Sequence, residues 1–256
     1  MQPGTTPPLP DGAAGWALFL DIDGTLLEIA STPAAVIVPV GLKELLERLY
    51  GLAHGALALV SGRSLAQLDQ LMAPLKLPMA GQHGLERRSS DGSQHHDIGS
   101  PAIPAAARDA LTRVMRQHPQ LMLEDKGATL ALHYRMAPEL QRIARQAAEE
   151  ARQLAGTDHV LLEGKMVIEI KPATTSKSRA IAAFLEEQPF RGRTPVFIGD
   201  DLTDEAGFEY VNRHGGLSIQ VGATPARGAT YSLADVHAVH AWLEALARAA
   251  EQVTRP

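Results

Sequence analysis

The sequence predicts an α/β fold, a core of alternating strands and helices interrupted by a smaller inserted α/β domain. Three observations carry that prediction. Short apolar runs of strand length end in Gly or Ser turns and lead into stretches with helical apolar spacing, the repeat unit of a parallel sheet. Between about Leu85 and Ile170 this repeat gives way to hairpin signals, alternating runs and a charged amphipathic helix. The chain has 256 residues, 45% of them hydrophobic, enough for one large domain or two modest ones with a real core.

The first strand is expected over Trp16 to Leu20, with Gly24 supplying the turn that ends it. The segment Asp21-Ile22-Asp23-Gly24-Thr25-Leu26 puts two carboxylates two residues apart at a strand end, where open α/β sheets carry their sites. On a continuing strand Asp21 and Asp23 share a side, and in a turn they converge on one ion. Either way one can attack while the other moves a proton. The same pattern also arises in calcium loops and plain Asx turns.

Leu42, Leu45, Leu46 and Leu49 mark the apolar face of the next helix. Gly55 to Val60 is a second strand, ending at Ser61-Gly62-Arg63 before a helix containing Leu65, Leu68 and Leu71. At that junction Ser61 can give a hydroxyl to a phosphate oxygen while Gly62 lets the backbone approach; alternatively Ser61 caps the helix and Arg63 is solvated. Leu77 to Ala80 reads as a third strand, followed by Gly81-Gln82-His83-Gly84-Leu85-Glu86.

Within the expected insert, a turn is signalled at Asp91-Gly92, strands at Leu121 to Leu123 and Thr129 to Tyr134, and a helix from about Glu139 to Leu154. Glu124, Lys126, His133, Arg135, Glu163, Lys165 and Glu169 either form a solvated face or meet a polyhydroxylated, charged molecule such as a sugar phosphate. Ser176 to Glu187 reads as a helix capped by Ser176, with Lys177 in the first turn, where a cation opposes the dipole unless an anion neutralises it. Pro195 to Ile198 is a strand ending in Gly199-Asp200-Asp201-Leu202-Thr203-Asp204-Glu205, acids that repel one another unless a cation compensates them or they simply favour a helix start. A strand near Leu217 to Val221, a Gly-rich turn region and a closing helix from Asp235 to about Ala249 complete the chain.

A formal charge of −5 and no long basic run argue against nucleic acid or an acidic membrane as main partner. Cysteine is absent, which excludes disulfides and thiolate chemistry and fits a reducing compartment. Met1 to Gly15 is rich in Pro and Gly and reads as a flexible tail without a secretory pattern, and no segment is long and apolar enough to span a bilayer. Composition shifts divide the rest into core over 16–85 and 171–256 and insert over 86–170, with hinges near Leu85 and Lys171.

Taken together, these segments resemble the haloacid dehalogenase superfamily of phosphotransferases, and more closely the trehalose-6-phosphate phosphatases, from Trp16 to the last helix. Asp21-Ile22-Asp23-Gly24-Thr25-Leu26 matches the first superfamily motif, Ser61-Gly62-Arg63 the second, Lys177 the third and the Gly199 to Glu205 run the fourth. The narrower likeness rests on Gly81 to Glu86, on Glu124-Asp125-Lys126 with His133-Tyr134-Arg135, and on Glu163-Gly164-Lys165 leading to Glu169-Ile170-Lys171-Pro172. One departure is Ser178 after Lys177, where relatives commonly have Gly.

The resemblance implies a Rossmann-like haloacid dehalogenase core with an inserted smaller α/β cap domain that closes over the sugar. It implies Asp21 as nucleophile, Asp23 as general acid and base, and Thr25, Ser61, Gly62 and Lys177 as phosphate-binding groups. Arg63, His83, Lys126, Glu163 and Lys165 are implied as substrate-binding, and Asp21, Asp23, Asp200, Asp201 and Asp204 as the metal set for Mg²⁺. The implied reaction is hydrolysis of trehalose 6-phosphate in trehalose biosynthesis by a cytoplasmic monomer or weak homodimer. Sucrose 6-phosphate or mannosyl-3-phosphoglycerate hydrolysis, phosphomutase chemistry and a noncatalytic sugar-phosphate sensor are the alternatives.

Overall fold

The structure, a computed structural model, describes residues 6–9, 13–32, 35–96, 101–222 and 228–254. The chain divides into two compact units, Met1–His96 with Ser176–Pro256, and Asp97–Thr175. In chain order the first unit contributes β1 (Trp16–Leu20), α1 (Leu42–Leu52), β2 (Leu57–Val60), α2 (Leu65–Met72), β3 (Met79–Gly81), β4 (Glu86–Arg88) and β5 (Gln94–His96). The second unit holds α3 (Ala105–Gln117), β6 (Met122–Asp125), β7 (Leu130–His133), α4 (Gln141–Ala155), β8 (His159–Gly164) and β9 (Val167–Pro172). The chain then returns through α5 (Lys177–Leu185), β10 (Thr194–Gly199), α6 (Glu205–Arg213), β11 (Leu217–Val221), β12 (Tyr231–Leu233) and α7 (Val236–Thr254).

The first unit is built on an eight-stranded sheet in the order β12-β11-β10-β1-β2-β3-β4-β5. From β12 to β3 every pairing is parallel, and β4 and β5 close the edge antiparallel. Successive residues of a strand face opposite sides, so β1 feeds two cores. Leu18 and Leu20 join Leu46, Leu49 and Leu243 on one face, while Ala17 and Phe19 join Phe184, Phe190 and Phe197 on the other. Both faces are covered, which is why the central strands read as continuous apolar runs.

β1 lies between β10 and β2, and it is here that the direction of strand succession reverses. Such a switch point opens a crevice at the carboxyl ends of the strands. The residues that follow these three strands are Asp21, Ser61 and Asp200. The sheet register therefore brings together three segments that are far apart in sequence.

The composition shift after Leu85 marks an edge hairpin of the first sheet, and the chain leaves that unit only after His96, returning at Ser176. The positions expected as hinges lie beside or within strands, Leu85 directly before β4 and Lys171 inside β9. Two arginines within the range expected for the insert fasten the hairpin to the first unit. Arg88 donates to both Asp69 carboxylate oxygens at 2.8 and 2.9 Å, and Arg87 grips Glu187 through two bonds of 2.8 and 2.6 Å.

Of the expected tail, 1–5 and 10–12 lie outside the described residues, as does 223–227 of the Gly-rich turn region. Ala13 is buried, Trp242 Nε1 donates to the Pro7 carbonyl at 3.3 Å, and the Trp16 and Trp242 rings stack 6.2 Å apart. These contacts attach the described parts of that segment to the core.

The second unit is a four-stranded antiparallel sheet in the order β6-β7-β9-β8. Leu130, Leu132, Ile168 and Ile170 pack against Leu111 of α3 and Ala144, Ala148 and Ala151 of α4. Small alanines on α4 permit that approach. α3 is an addition to the elements the sequence signalled; its buried face is made of Ala107, Ala110 and Leu111, small residues for the most part.

Phe190 is fully buried, 5.5 Å from the Phe19 ring and 5.0 Å from Phe184. Phe190→Ala should cost about 3–5 kcal/mol through lost burial and the cavity left behind. The urea-unfolding midpoint should fall accordingly, with the slope unchanged.

Candidate active site

The chain after β1 turns at once. The Ile22 carbonyl accepts from the backbone N–H of Leu26 and Leu27 at 2.9 Å each, and Gly24 N donates to the Leu27 carbonyl at 2.7 Å. Gly24 has φ +86°, and a Cβ there would lie 2.0 Å from Asp200 Oδ2. Glycine is required twice over, for the left-handed backbone and for the carboxylate that crosses it. In the other acidic segment, a Cβ on Gly199 would lie 2.4 Å from Asp204 Cγ. Both acidic loops are thus closed around carboxylates that lie against bare backbone.

Lys177 links them. Its Nζ donates to Asp21 Oδ1 at 2.7 Å and to Asp204 Oδ1 at 2.6 Å, and all three side chains are buried. Ser176 caps α5 by accepting from Arg179 N at 3.2 Å, which sets Lys177 as the first helical residue. The unfavourable end of the dipole is offset by the protein's own carboxylates. Burial works against the Lys177 ammonium, but Asp204 and Asp21 outweigh it and keep its pKa above that of an ordinary lysine. Burial pushes the Asp21 carboxyl well above the usual carboxylate range; Lys177 pulls it down, and Asp204 and Asp200 push it up.

Asp21, Asp200 and Asp204 each present an oxygen within 4.8 Å of the others. Three buried carboxylates against one ammonium leave an excess of negative charge in a dry setting, and a divalent cation relieves it. An all-oxygen donor set suits a hard cation. The bare backbone at Gly24 lets the Asp200 carboxylate come in beside Asp21, which completes the donor set. Asp204 Oδ2 also accepts from the backbone N–H of Asp200 and Asp201 at 2.9 and 3.1 Å, so it shapes the loop that carries Asp200.

Asp23 and Asp201, expected among the metal ligands, are not brought into this cluster. Asp23 is gripped by Arg63, with Nε to Oδ2 and Nη2 to Oδ1 both at 2.7 Å. Asp201 opens a short 3₁₀ turn over Leu202–Asp204, its side chain accepting from Leu202 N. Arg63, expected to bind substrate, thus has its guanidinium on the neighbouring acid. Thr25 Oγ1 donates to Asp21 Oδ2 at 3.3 Å. Ser61 is buried and its Oγ accepts from Arg63 N at 3.2 Å; the cap of α2 is Ser64, whose box with Gln67 settles the alternative that Ser61 caps that helix. His83 is buried with φ 56°, and its ring covers Gly62, where a Cβ would lie 2.9 Å from Nε2.

Within the second unit, Lys126 Nζ donates to Glu169 Oε1 at 3.2 Å, and His133 Nε2 bonds Glu124 Oε2 at 3.0 Å. Lys126 also approaches that Glu124 oxygen at 3.9 Å. Glu169 alternates with the core residues Ile168 and Ile170, so this network occupies the sheet face away from α3 and α4. Glu163 is cross-strand from Ile168 and pairs with Arg145 of α4 at 2.9 Å, toward the helix side. Lys165 is exposed in the turn between β8 and β9. The three expected sugar contacts therefore occupy different settings. Grouping Glu124, His133 and Glu169 with Lys126 needed the strand register; the alternation in sequence was the one signal for it.

Among the described residues no helix is long and apolar enough to cross a membrane.

A parallel sheet with an acidic cluster at its switch point, a buried lysine bridging the two acidic loops and an inserted α/β unit define a phosphatase of the haloacid dehalogenase superfamily. The model of the trehalose-phosphatase family matches residues 19–238, and the chain belongs to that family. It is 46% identical over 243 residues to a trehalose-6-phosphate phosphatase of Escherichia coli (strain K12), spanning 95% of this chain and 91% of that one. A probable trehalose-phosphate phosphatase of Sinorhizobium fredii (strain NBRC 101917 / NGR234) is 47% identical over 233 residues, 91% of this chain and 88% of that protein. The solved structure of a trehalose-6-phosphate phosphatase related protein superposes with a TM-score of 0.77 at 26% identity, covering 92% of this chain and 98% of the other.

Gly24→Ala should displace Asp200 and weaken divalent-cation binding by roughly 10-fold to 100-fold, the usual effect of disturbing a ligand's support. Mn²⁺ binding followed by electron paramagnetic resonance measures it without reference to activity.

Proposed function

We propose that this protein hydrolyses trehalose 6-phosphate to trehalose and inorganic phosphate with Mg²⁺, through a phosphoryl group carried transiently on Asp21. The observation that carries the reading is the buried Asp21–Lys177–Asp204 arrangement with Asp200 at the carboxyl edge of the sheet, in a chain of the trehalose-phosphatase family. A nucleophilic carboxylate splits the difficult displacement into two easier ones.

Asp21 attacks phosphorus in line with the departing sugar oxygen. A carboxylate oxygen forms the bond while the ester P–O bond breaks. Asp23 gives its proton to that sugar oxygen and then takes one from a water that attacks the aspartyl phosphate, returning Asp21 to its carboxylate form. Lys177 sets Asp21 through Oδ1 and offsets charge beside the reacting group. Ser61 and the Gly62 backbone offer donors to phosphoryl oxygens, as does Thr25. Mg²⁺ held by Asp21, Asp200 and Asp204 supplies neutralisation of phosphoryl charge when bound. Hydroxyl and charge recognition of the disaccharide is assigned to the second unit, with Lys126 beside Glu124, His133 and Glu169 on the sheet face away from the helices and with Lys165 in the β8–β9 turn; carboxylates beside basic groups suit a polyhydroxylated ligand.

Phosphate release should be strong from trehalose 6-phosphate and weak from sucrose 6-phosphate, glucose 6-phosphate and mannosyl-3-phosphoglycerate at equal concentration. It should vanish with EDTA and return with Mg²⁺. Equal rates across the panel would leave the phosphatase chemistry and remove the named sugar.

Asp21→Asn should lower turnover to background while calorimetry still detects substrate binding. Turnover near that of the unmodified protein would remove Asp21 as the nucleophile.

A further inference from the structure

The segment Gly81 to Glu86 is a clasp on the loop that carries Ser61, Gly62 and Arg63. Two backbone bonds tie the two together, Gln82 N to the Arg63 carbonyl at 2.8 Å and His83 N to the Ser61 carbonyl at 3.0 Å, and Ser61 N donates to the carbonyl of Ala80, just before the segment, at 2.9 Å. The fit is close. A Cβ on Gly81 would lie 2.8 Å from both the Arg63 carbonyl oxygen and Leu65 N.

To make this turn, two consecutive non-glycine residues, Gln82 and His83, take φ of 47° and 56°. Side chains seldom adopt this left-handed conformation, and it persists only where neighbours enforce it. One carboxylate does so from β4. Glu86 Oε1 accepts from Gln82 Nε2 at 2.9 Å and from Leu65 N, the first helical N–H of α2, at 3.0 Å. The capping box of Ser64 and Gln67 satisfies the Gln67 and Ser64 N–H groups and leaves Leu65 N to Glu86, so one carboxylate completes the start of α2 and joins it to the strained turn.

Arg63 lies between these two anchors. Its carbonyl is held by Gln82 N, and its guanidinium holds both oxygens of Asp23. We infer that Glu86 is a positioning residue of the reaction: by fixing the Gln82 turn against Leu65 it sets the Ser61–Arg63 loop, and through Arg63 it orients the Asp23 carboxylate. This rests on the phosphatase reading above, in which Asp23 moves the proton and Ser61 meets phosphate.

The test is steady-state kinetics on p-nitrophenyl phosphate and trehalose 6-phosphate with Glu86→Ala, Glu86→Gln, Arg63→Ala and the Glu86→Ala/Arg63→Ala double variant, alongside thermal melts. Glu86→Ala should lower kcat by roughly 10-fold to 100-fold on both esters, the scale of a small misplacement of reacting groups. Glutamine keeps an acceptor oxygen for both donors, so Glu86→Gln should stay within about threefold of the unmodified protein. In the Arg63→Ala background the Glu86→Ala loss should shrink, because the part that runs through the Arg63 guanidinium to Asp23 is already gone. Should Glu86→Ala not fold, Glu86→Asp retracts the carboxylate by one methylene and is read in the same way.

A folded Glu86→Ala with unchanged kcat, or a loss that is fully additive with Arg63→Ala, overturns the inference and leaves the phosphatase reading standing. A Glu86→Gln loss as large as that of Glu86→Ala overturns it too, since the acceptor would then not be what matters. Unmodified protein active on the aryl ester but not on trehalose 6-phosphate removes the sugar and leaves Glu86 decided on the aryl ester. Activity on neither overturns both.

Discussion

The Lys177 ammonium, buried between Asp21 and Asp204, is the interaction on which the carboxyl edge of the first sheet depends. Each carboxylate sits where water cannot solvate it, and carboxylates left alone in that setting would be expelled or protonated. One ammonium reaching both holds the loop after β1 and the loop after β10 at a fixed separation. Loss of one partner of such a buried pair typically costs about 3–5 kcal/mol, because the other charge is left uncompensated. The arrangement still carries more negative than positive charge, an excess that suits a divalent cation as well as a scaffold.

The sheet decides what Lys177 can reach. β1 pairs in parallel with β10 on one side and β2 on the other, so their carboxyl ends lie side by side. The apolar packing that fixes this register is distant from the chemistry. Phe19 and Phe197 anchor one face of the neighbouring strands, Leu18, Leu20 and Ile198 the other, and a shift by one residue would turn each set to the wrong side. Glycines at 24 and 199 then let each loop lie against the other's carboxylate or its own.

Around this centre, charge is used to hold edges as well as to do chemistry. Arg87 and Arg88 secure the β4–β5 hairpin through Glu187 and Asp69, and Arg63 commits its fork to Asp23. Planar guanidinium groups suit such two-bond pairing better than lysine does. Lys171 is a contrasting case: its ammonium donates to the Thr175 carbonyl and hydroxyl, and burial lowers its pKa. It braces the segment leading back to Ser176 while Lys177 faces the carboxylates.

The sequence by itself determined the alternating core, the acidic strand ends, the Ser61 loop, the Lys177 helix start and the existence of an inserted α/β unit. These are local facts, legible because apolar period and turn chemistry act over a few residues. Tertiary structure alone decided which of five aspartates converge, because convergence depends on strand neighbours nearly 180 residues apart in sequence. It decided that Arg63 holds Asp23, that Glu163 turns toward α4 while Lys126 joins Glu169, and that the hairpin after Leu85 belongs to the first sheet. A charged residue reads the same in sequence whether it meets solvent, substrate or a partner; the register that brings its partner within hydrogen-bond reach comes from the packing of the sheets.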